Sequence, residues 1–142
     1  MKIMAVDYGD VRTGLAVCDR TEFLASPIGV IEERNAPILA MKVAHMAEQY
    51  EVGEIVVGLP KNMNGSIGPR AEKCQAFAEM LSELTEVPVN MWDERSTTVT
   101  AHQILNQTNV RGKNRKAVVD EVAATVILES YLNYRRKNKP SI

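Results

Sequence analysis

The stretch IMAVDYGDVRTGLAVCD, Ile3 to Asp19, decides the fold, and the rest of the chain can be placed around it. It begins with a short apolar run without charge, which is typical of a central strand covered on both faces. Asp7 follows where this strand should end, Gly9 and Gly14 give the backbone freedom for a turn, and a second apolar run ends at Asp19. A carboxylate at the tip of a buried strand is costly unless donors, a basic side chain or a metal compensate its charge. Asp7 is therefore either a turn cap or part of a functional site.

Length and composition predict a single globular domain over residues 1–142, because a chain of this size buries a continuous core without disulfides or metals. No apolar run approaches the length of a membrane span, and the start does not resemble a signal peptide, since only four apolar residues separate Lys2 from Asp7. Cys18 and Cys74 have no metal-ligand spacing and indicate free thiols in a reducing compartment. We therefore expect a cytoplasmic protein without a membrane partner.

The charge is unevenly distributed, although the net charge is only −1. Residues 111–142 contain eight Lys or Arg and three acids, whereas residues 1–110 contain nine basic and fifteen acidic residues. A positive segment beside clustered acids suits a metal-dependent enzyme acting on a phosphate polymer, because metals bind the acids and basic groups hold the backbone. Taken alone, residues from about 135 to 142 are typical of a flexible basic tail.

The rest of the chain predicts a strand meander followed by helical crossovers. The third strand, Phe23 to Ile31, contains Pro27 and is therefore placed near an edge. Hydrophobic periodicity then predicts a helix, a buried parallel strand, a loop, a second helix, a last strand, a short helix, a mobile polar loop and a final helix. Their expected ranges are 36–50, 55–57, 61–68, 68–84, 87–93, 97–107, 108–115 and about 117–134.

Three acids are predicted to converge at one edge of the sheet. Asp7 ends the first strand, Asp93 and Glu94 end the last, and Asp120 lies on the apolar stripe of the final helix, where two alanines allow close approach to the sheet. Adjacent strand residues point to opposite faces, so Asp93 and Glu94 remain alternatives. Clustered carboxylates repel unless cations bridge them, and hard oxygen ligands suit magnesium or manganese. This pattern suggests two-metal phosphodiester hydrolysis.

Four segments, DYGDVRTGLAVCD, GLPKNMNG, DERSTT and VDEVAATVILESYL, resemble the YqgF family, also called RuvX, of the ribonuclease H-like superfamily. This family is described as Holliday junction resolvases and pre-16S rRNA nucleases. The resemblance implies an α/β ribonuclease H-like fold, with a five-stranded mixed sheet in the order β-β-β-α-β-α-β-α and helices on both faces. It also implies that Asp7, Glu94 and Asp120 are catalytic magnesium ligands, and it favours Glu94 over Asp93. The family often has a basic residue where this chain has Val11, and this departure weakens one possible phosphate contact.

Basic side chains beside these motifs are candidates for binding nucleic acid. The candidates are Arg12, Arg70, Arg95, Arg111, Lys113, Arg115 and Lys116. The alternative is that they pair with local acids. The binding role is favoured for Arg95, which adjoins the acidic cluster, whereas neither role is favoured for Arg70.

The expected function is a nuclease dependent on Mg²⁺ (or Mn²⁺) that processes the 5′ end of pre-16S rRNA. A Holliday junction resolvase is the alternative, followed by a non-catalytic RNA-binding factor and by an actin-like phosphotransferase, for which one domain is too small. RNA is favoured over a DNA junction because the loop at 108–115 has no aromatic wedge and the sequence shows no obvious apolar dimer surface. The expected partners are structured or single-stranded RNA, with branched DNA as the alternative, and the chain is expected to be a monomer or weak homodimer.

Overall fold

The computed structural model describes residues 1–94 and 112–137, with the side chains of the last helix described from Val122 onward. The elements are β1 (Ile3–Asp7), β2 (Arg12–Cys18), β3 (Ala25–Glu32), α1 (Ala36–Gln49), β4 (Glu54–Leu59), α2 (Pro69–Leu84), β5 (Val89–Asp93) and α3 (Gly112–Lys137). The predicted α/β class and element order are confirmed. The short helix predicted over 97–107 lies outside the described residues.

The five strands form one mixed sheet in the order β3-β2-β1-β4-β5. Strand β1 is antiparallel to β2 and parallel to β4, which in turn is parallel to β5. The central position of β1 explains its uncharged run, because Ile3 through Val6 are fully buried. The carboxyl ends of β1, β4 and β5 meet at one edge of the sheet, where ligands bind in open α/β folds.

Helices α1 and α2 cover one face of the sheet, and α3 covers the other. Met4 and Val6 of β1 pack with α1 and α2, whereas Ile3 and Ala5 pack with the α3 residues Ala124, Ile127, Leu128 and Leu132. This alternation follows from the two-residue repeat of a strand. The position of a residue along a strand therefore tells which helix layer it faces.

Strand β3 lies at the sheet edge, as its proline predicted. Pro27 pairs with Ala16, and the register shifts between Leu15 and Ala16 as in a β-bulge. The strand begins at Ala25 rather than at the expected Phe23, which lies in the exposed β2–β3 turn.

Helix α3 is longer at both ends than the sequence indicated. It starts at Gly112, so residues 112–115 are helical rather than part of the expected mobile loop. Residues 135–137, expected in the flexible tail, form its last turn, and Arg135 is held there by Glu22 and Glu54. Residues 108–111 and 138–142 lie outside the described part. Within residues 1–94 and 112–137, no helix has both the length and the apolar character needed to cross a membrane.

Candidate active site

Asp7 is the last residue of β1 and pairs with Gly14 of β2. Ile3 and Ala5, four and two residues before it, belong to the core beneath α3. Because alternate strand residues share a face, the alternation places Asp7 on the α3 side of the sheet.

The two acids at the end of β5 lie on opposite faces. Met91 packs with the α1–α2 core and Trp92 with the α3 core, so Asp93 continues the first face and Glu94 the second. The backbone N–H of Glu94 donates to the Leu59 carbonyl oxygen at 3.1 Å, which extends the pairing of β5 with β4 by one residue. Glu94 therefore shares a face with Asp7, which the sequence alone left open.

Gly58 of β4 makes room for the Glu94 carboxyl group. A Cβ atom at position 58 would lie 2.7 Å from Cδ of Glu94 and 2.7 Å from Cδ1 of Ile127 in α3. Since Val6 pairs with Val57, the next residue Asp7 is level with Gly58 on the neighbouring strand. We call the edge formed by Asp7, Gly58 and Glu94 the carboxylate edge. A substituent at Gly58 would displace one of its two acids.

Position 120, the third expected ligand, belongs to α3 and lies seven residues before Ile127. Seven residues are about two helical turns, so both positions lie on the same side of the helix. The Asp120 side chain lies outside the described part, so its role as the third ligand stays a prediction. Within the described side chains, no three His, Cys, Asp or Glu are grouped so as to hold a metal ion.

The electrostatics of the carboxylate edge disfavour negative charge. Burial, assisted by the neighbouring Asp93, raises the pKa of Glu94 to about 7 against the opposing attraction of Arg70. Burial is also the main cause that raises the pKa of the Cys74 thiol to about 11, and the charges of Glu94 and Asp7 add to it. Partly buried carboxylate oxygens on one face are hard donors whose charge a divalent cation would compensate. Asp7 and Glu94 are therefore two oxygen ligands of the kind that magnesium or manganese prefers.

Arg70, in the first turn of α2, is anchored beside this edge. Its Nη1 donates to Oδ1 of Asp10 at 3.1 Å, and its Nη2 donates to the Tyr8 carbonyl oxygen. Its guanidinium lies 5.3 Å from the centre of the Tyr8 ring, which stacks on Phe77 at 4.7 Å. Arg70 therefore pairs with a local acid, and its charge still acts on Glu94.

Of the other predicted basic residues, the structure describes the side chain of Arg12 only. Arg12 forms an ion pair with Glu32 of β3, with 3.5 Å between Nε and Oε1. Arg95 and Arg111 lie outside the described residues, as do the side chains of Lys113, Arg115 and Lys116.

Sequence reasoning missed two residues at this edge. Gly58 follows the strand predicted over 55–57, and a glycine at that position beside the tip of the Asp7 strand is the sequence signal for close approach. Lys73, which lies 3.6 Å from Asp10, follows Arg70 by three residues, and this helical spacing was the available signal.

Comparison with solved structures shows which known fold the chain shares. The structure superposes on Thermus thermophilus RuvC in complex with a Holliday junction substrate with a TM-score of 0.60 and 14% identity, covering 97% of this chain and 96% of that one. The fowlpox virus Holliday junction resolvase gives 0.56 and 15% identity, with coverage of 94% and 99%. At this identity the likeness shows the fold, which is that of the ribonuclease H-like resolvases.

Sequence comparison then identifies the family. The RuvX family model, described as "Holliday junction resolvase", matches residues 1–134. A Halothermothrix orenii protein named "Putative pre-16S rRNA nuclease" is 44% identical over 96% of this chain and 98% of its own length. A protein of the same name from Clostridium acetobutylicum is 44% identical over 94% of this chain and 98% of its own. The chain belongs to the RuvX family, and it is a nuclease.

Proposed function

We propose that this nuclease uses divalent metal ions to hydrolyse phosphodiester bonds at the 5′ end of pre-16S rRNA. The observation that supports the chemistry most directly is the position of the Glu94 carboxyl group, which lies over Gly58 on the face that Asp7 shares. The names of relatives that match nearly the whole chain support the substrate.

Asp7, Glu94 and Asp120 would hold Mg²⁺ or Mn²⁺. Such an ion, when bound, polarises the phosphoryl oxygen and lowers the pKa of a coordinated water. Glu94 is suited to this role because burial opposes its charge, and a cation would relieve that cost. Its position against Ile127 and Gly58 fixes the carboxyl group before any ligand arrives.

The phosphate backbone would be held by the basic candidates around this edge. Arg70 is already fixed by Asp10 and by the Tyr8 carbonyl oxygen, so its charge is presented beside Glu94 at little further cost in side-chain entropy. Arg12, Arg95, Arg111, Lys113, Arg115 and Lys116 complete the proposed contacts. Such binding weakens as salt rises, because it releases counterions from the nucleic acid.

Cleavage of a 5′-extended 16S precursor RNA in Mg²⁺ tests the proposal. Asp7→Asn, Glu94→Gln and Asp120→Asn should each lower the rate at least about 100-fold, because each removes a metal ligand. Asp93→Asn is the matched control, since it removes a neighbouring carboxylate on the opposite face and should leave most of the activity. Comparable losses in Asp93→Asn and Glu94→Gln would contradict the assignment. Binding of this RNA without cleavage at any metal concentration would instead indicate a non-catalytic factor.

Metal binding can be measured without activity. Millimolar Mg²⁺ or Mn²⁺ should raise the melting temperature by a stabilisation of RT ln(1 + [L]/Kd), and Asp120→Asn should reduce that rise. Calorimetric titration that shows the same Mn²⁺ affinity for wild type and for the three ligand variants would exclude this metal site.

The second candidate function is resolution of Holliday junctions, which the description of the family model favours. A four-way DNA junction incubated at the same enzyme, metal and salt concentrations distinguishes the two. Faster paired nicks in the junction than cuts in the RNA would favour the resolvase and a two-fold dimer over the proposed monomer or weak homodimer. We place either reaction in the cytoplasm, a location supported by the two free, buried thiols of Cys18 and Cys74.

A further inference from the structure

We propose that a surface at the end of the sheet opposite the carboxylate edge binds single-stranded RNA. We call it the distal surface, and it consists of Arg20, Phe23 and Leu24 at the β2–β3 turn and Arg136 at the end of α3. The inference rests on the proposed RNA substrate and adds a second contact to it.

The distal surface presents an aromatic ring to solvent. Phe23 is 73% exposed and its neighbour Leu24 is 61% exposed. The guanidinium of Arg136 lies 5.9 Å from the centre of the Phe23 ring. An exposed ring beside a planar cation is the combination on which single-stranded bases stack, with the cation close to the phosphate.

The turn that carries Phe23 is held in place by hydrogen bonds. Oδ1 of Asp19 accepts from the backbone N–H of Phe23 at 2.9 Å and from that of Leu24 at 3.4 Å. Glu22 accepts from Nε of Arg135 at 2.6 Å, which ties the turn to the last turn of α3. The ring and the cation are therefore presented together, so binding costs little conformational entropy.

The charge of the distal surface suits an anion. Arg136 donates to the Leu132 carbonyl oxygen and to Oδ1 of Asn133, both neutral, and no carboxylate in the described part of the chain forms an ion pair with it. The nearby Glu22 is neutralised by Arg135 and by the amino group of Met1. The Asp19 carboxylate of the same turn accepts from the Thr21 hydroxyl and from the backbone N–H groups of Phe23 and Leu24, and the neighbouring Arg20 adds an exposed positive charge. This complementarity favours a nucleic-acid strand as the occupant.

The distance to the carboxylate edge makes the contribution dependent on RNA length. Positions 120 and 136 of α3 are separated by about 24 Å at the rise of an α-helix. A short RNA in the active site would not reach the distal surface, whereas a longer single strand would contact both.

The test measures RNA binding and cleavage in variants of the full chain. In an Asp7→Asn background, Phe23→Ala should weaken the affinity for a single-stranded RNA of about 20 nucleotides by about tenfold, since one stacked base is lost. Arg136→Gln should weaken the affinity and reduce the slope of log affinity against log salt concentration by about one. With the active enzyme, both changes should raise KM for the long RNA, leave kcat unchanged, and have no effect on an RNA of about 4 nucleotides.

Matched controls lie on the opposite face. Met41→Ala removes an apolar side chain of α1 that is 61% exposed, and Lys42→Gln removes a surface charge of the same helix. Neither should change RNA affinity. A photocrosslink from 5-iodouridine RNA to the peptide carrying Phe23 would locate the contact directly.

Wild-type affinity of folded Phe23→Ala and Arg136→Gln for the long RNA would overturn the inference, as would a crosslink elsewhere. That outcome would assign the exposed ring to a protein partner instead. If the two changes weaken the affinity for a single-stranded DNA of the same length equally, the surface binds single strands without distinguishing RNA from DNA. Failure of the wild type to cleave RNA would contradict the proposed function, whereas binding in the Asp7→Asn background tests the distal surface alone.

Discussion

Two glutamates at opposite ends of the sheet show how differently this fold treats a buried carboxylate. Glu54 begins β4 and is 5% exposed, and it accepts hydrogen bonds from Asn90 and from the Tyr131 hydroxyl, as well as from Nη1 of Arg135 at 3.5 Å. Glu94, at the carboxylate edge, is packed over Gly58 and against Ile127, and burial raises its pKa to about 7. At the start of β4, the Glu54 carboxylate is therefore surrounded by hydrogen-bond donors. Near the end of β4, the Glu94 carboxyl group lies where burial opposes its negative charge.

This difference indicates that Glu54 contributes to stability and that Glu94 contributes to function. A buried charge that is fully hydrogen-bonded fixes the surrounding structure, because removing any one donor leaves an unsatisfied group. Burial and its hydrogen bond to Glu54 raise the pKa of Tyr131 to about 12, so the hydroxyl remains a donor over the physiological range. A charge that the protein leaves energetically unfavourable is one that a ligand can stabilise.

The largest difference between the two ends of β4 is expected when the glycines near them are substituted. Gly58→Ala should lower cleavage by about 10- to 100-fold and destabilise the fold by about 1–3 kcal/mol, because the new Cβ meets the Glu94 carboxyl group and Ile127. Gly53→Ala is the control, since the close contacts of its Cβ, at 2.7 Å, would be with the flexible Met1 side chain, and the Lys2 carbonyl oxygen lies at an ordinary 3.9 Å. Cleavage rates and urea unfolding measure both effects, and equal behaviour of the two variants would contradict the difference.

Glu94→Gln should stabilise the metal-free protein at alkaline pH. The raised pKa means that the folded state resists ionisation, so the cost grows as pH rises from about 4.5 to 7 and is complete above that. In EDTA the variant should exceed wild type in its free energy of unfolding by about 3 kcal/mol at pH 8, and the gap should close near pH 4. Denaturant unfolding across this range checks the sign, and a wild type that is more stable at pH 8 would contradict it.

Tyr131→Phe should have the reverse outcome at the other end. Removing the hydroxyl takes one donor from Glu54, so stability should fall by about 1–2 kcal/mol while kcat stays unchanged. Thermal unfolding and single-turnover cleavage measure the two effects. Tyr134→Phe is the control, since the Tyr134 ring is half exposed. A fall in kcat would show that the two ends are coupled.

The smallest effect is expected from Glu22→Gln. The hydrogen bond from Arg135 is the main cause that lowers the pKa of Glu22, so its contribution is present above the ordinary carboxyl value and disappears as pH falls through the lowered one. The variant should be less stable than wild type by up to about 1 kcal/mol at pH 7, and the gap should close as the pH falls through the lowered pKa. A gap independent of pH would mean that the ion pair is not its cause.

The sequence predicted the sheet well because its signals were local. The uncharged run of β1 is typical of a central strand, and Pro27 favours a position at or near an edge for β3. The early start of α3 was missed because Gly112 and Asn114 are poor helix formers in isolation, and the packing of the rest of the helix outweighs that preference.

The candidate site was harder to predict from the sequence, since it depends on which residues meet across the sheet. The choice between Asp93 and Glu94 required the register of β5 and the position of α3, which no local pattern gives. The pairing of Arg70 with Asp10 joins residues 60 positions apart, so the sequence left its two roles equally supported.

The position of α3 also determines when this molecule can fold during synthesis. One whole side of the sheet, including Ile3, Ala5 and Val56, is covered by residues 124–132. A ribosome makes the chain from the amino terminus, so the strands are complete while this apolar side is still exposed to solvent. We expect nascent chains stalled near residue 94 to bind chaperones and to be cut readily by proteases, and chains extended past residue 132 and free of the exit tunnel to resist both.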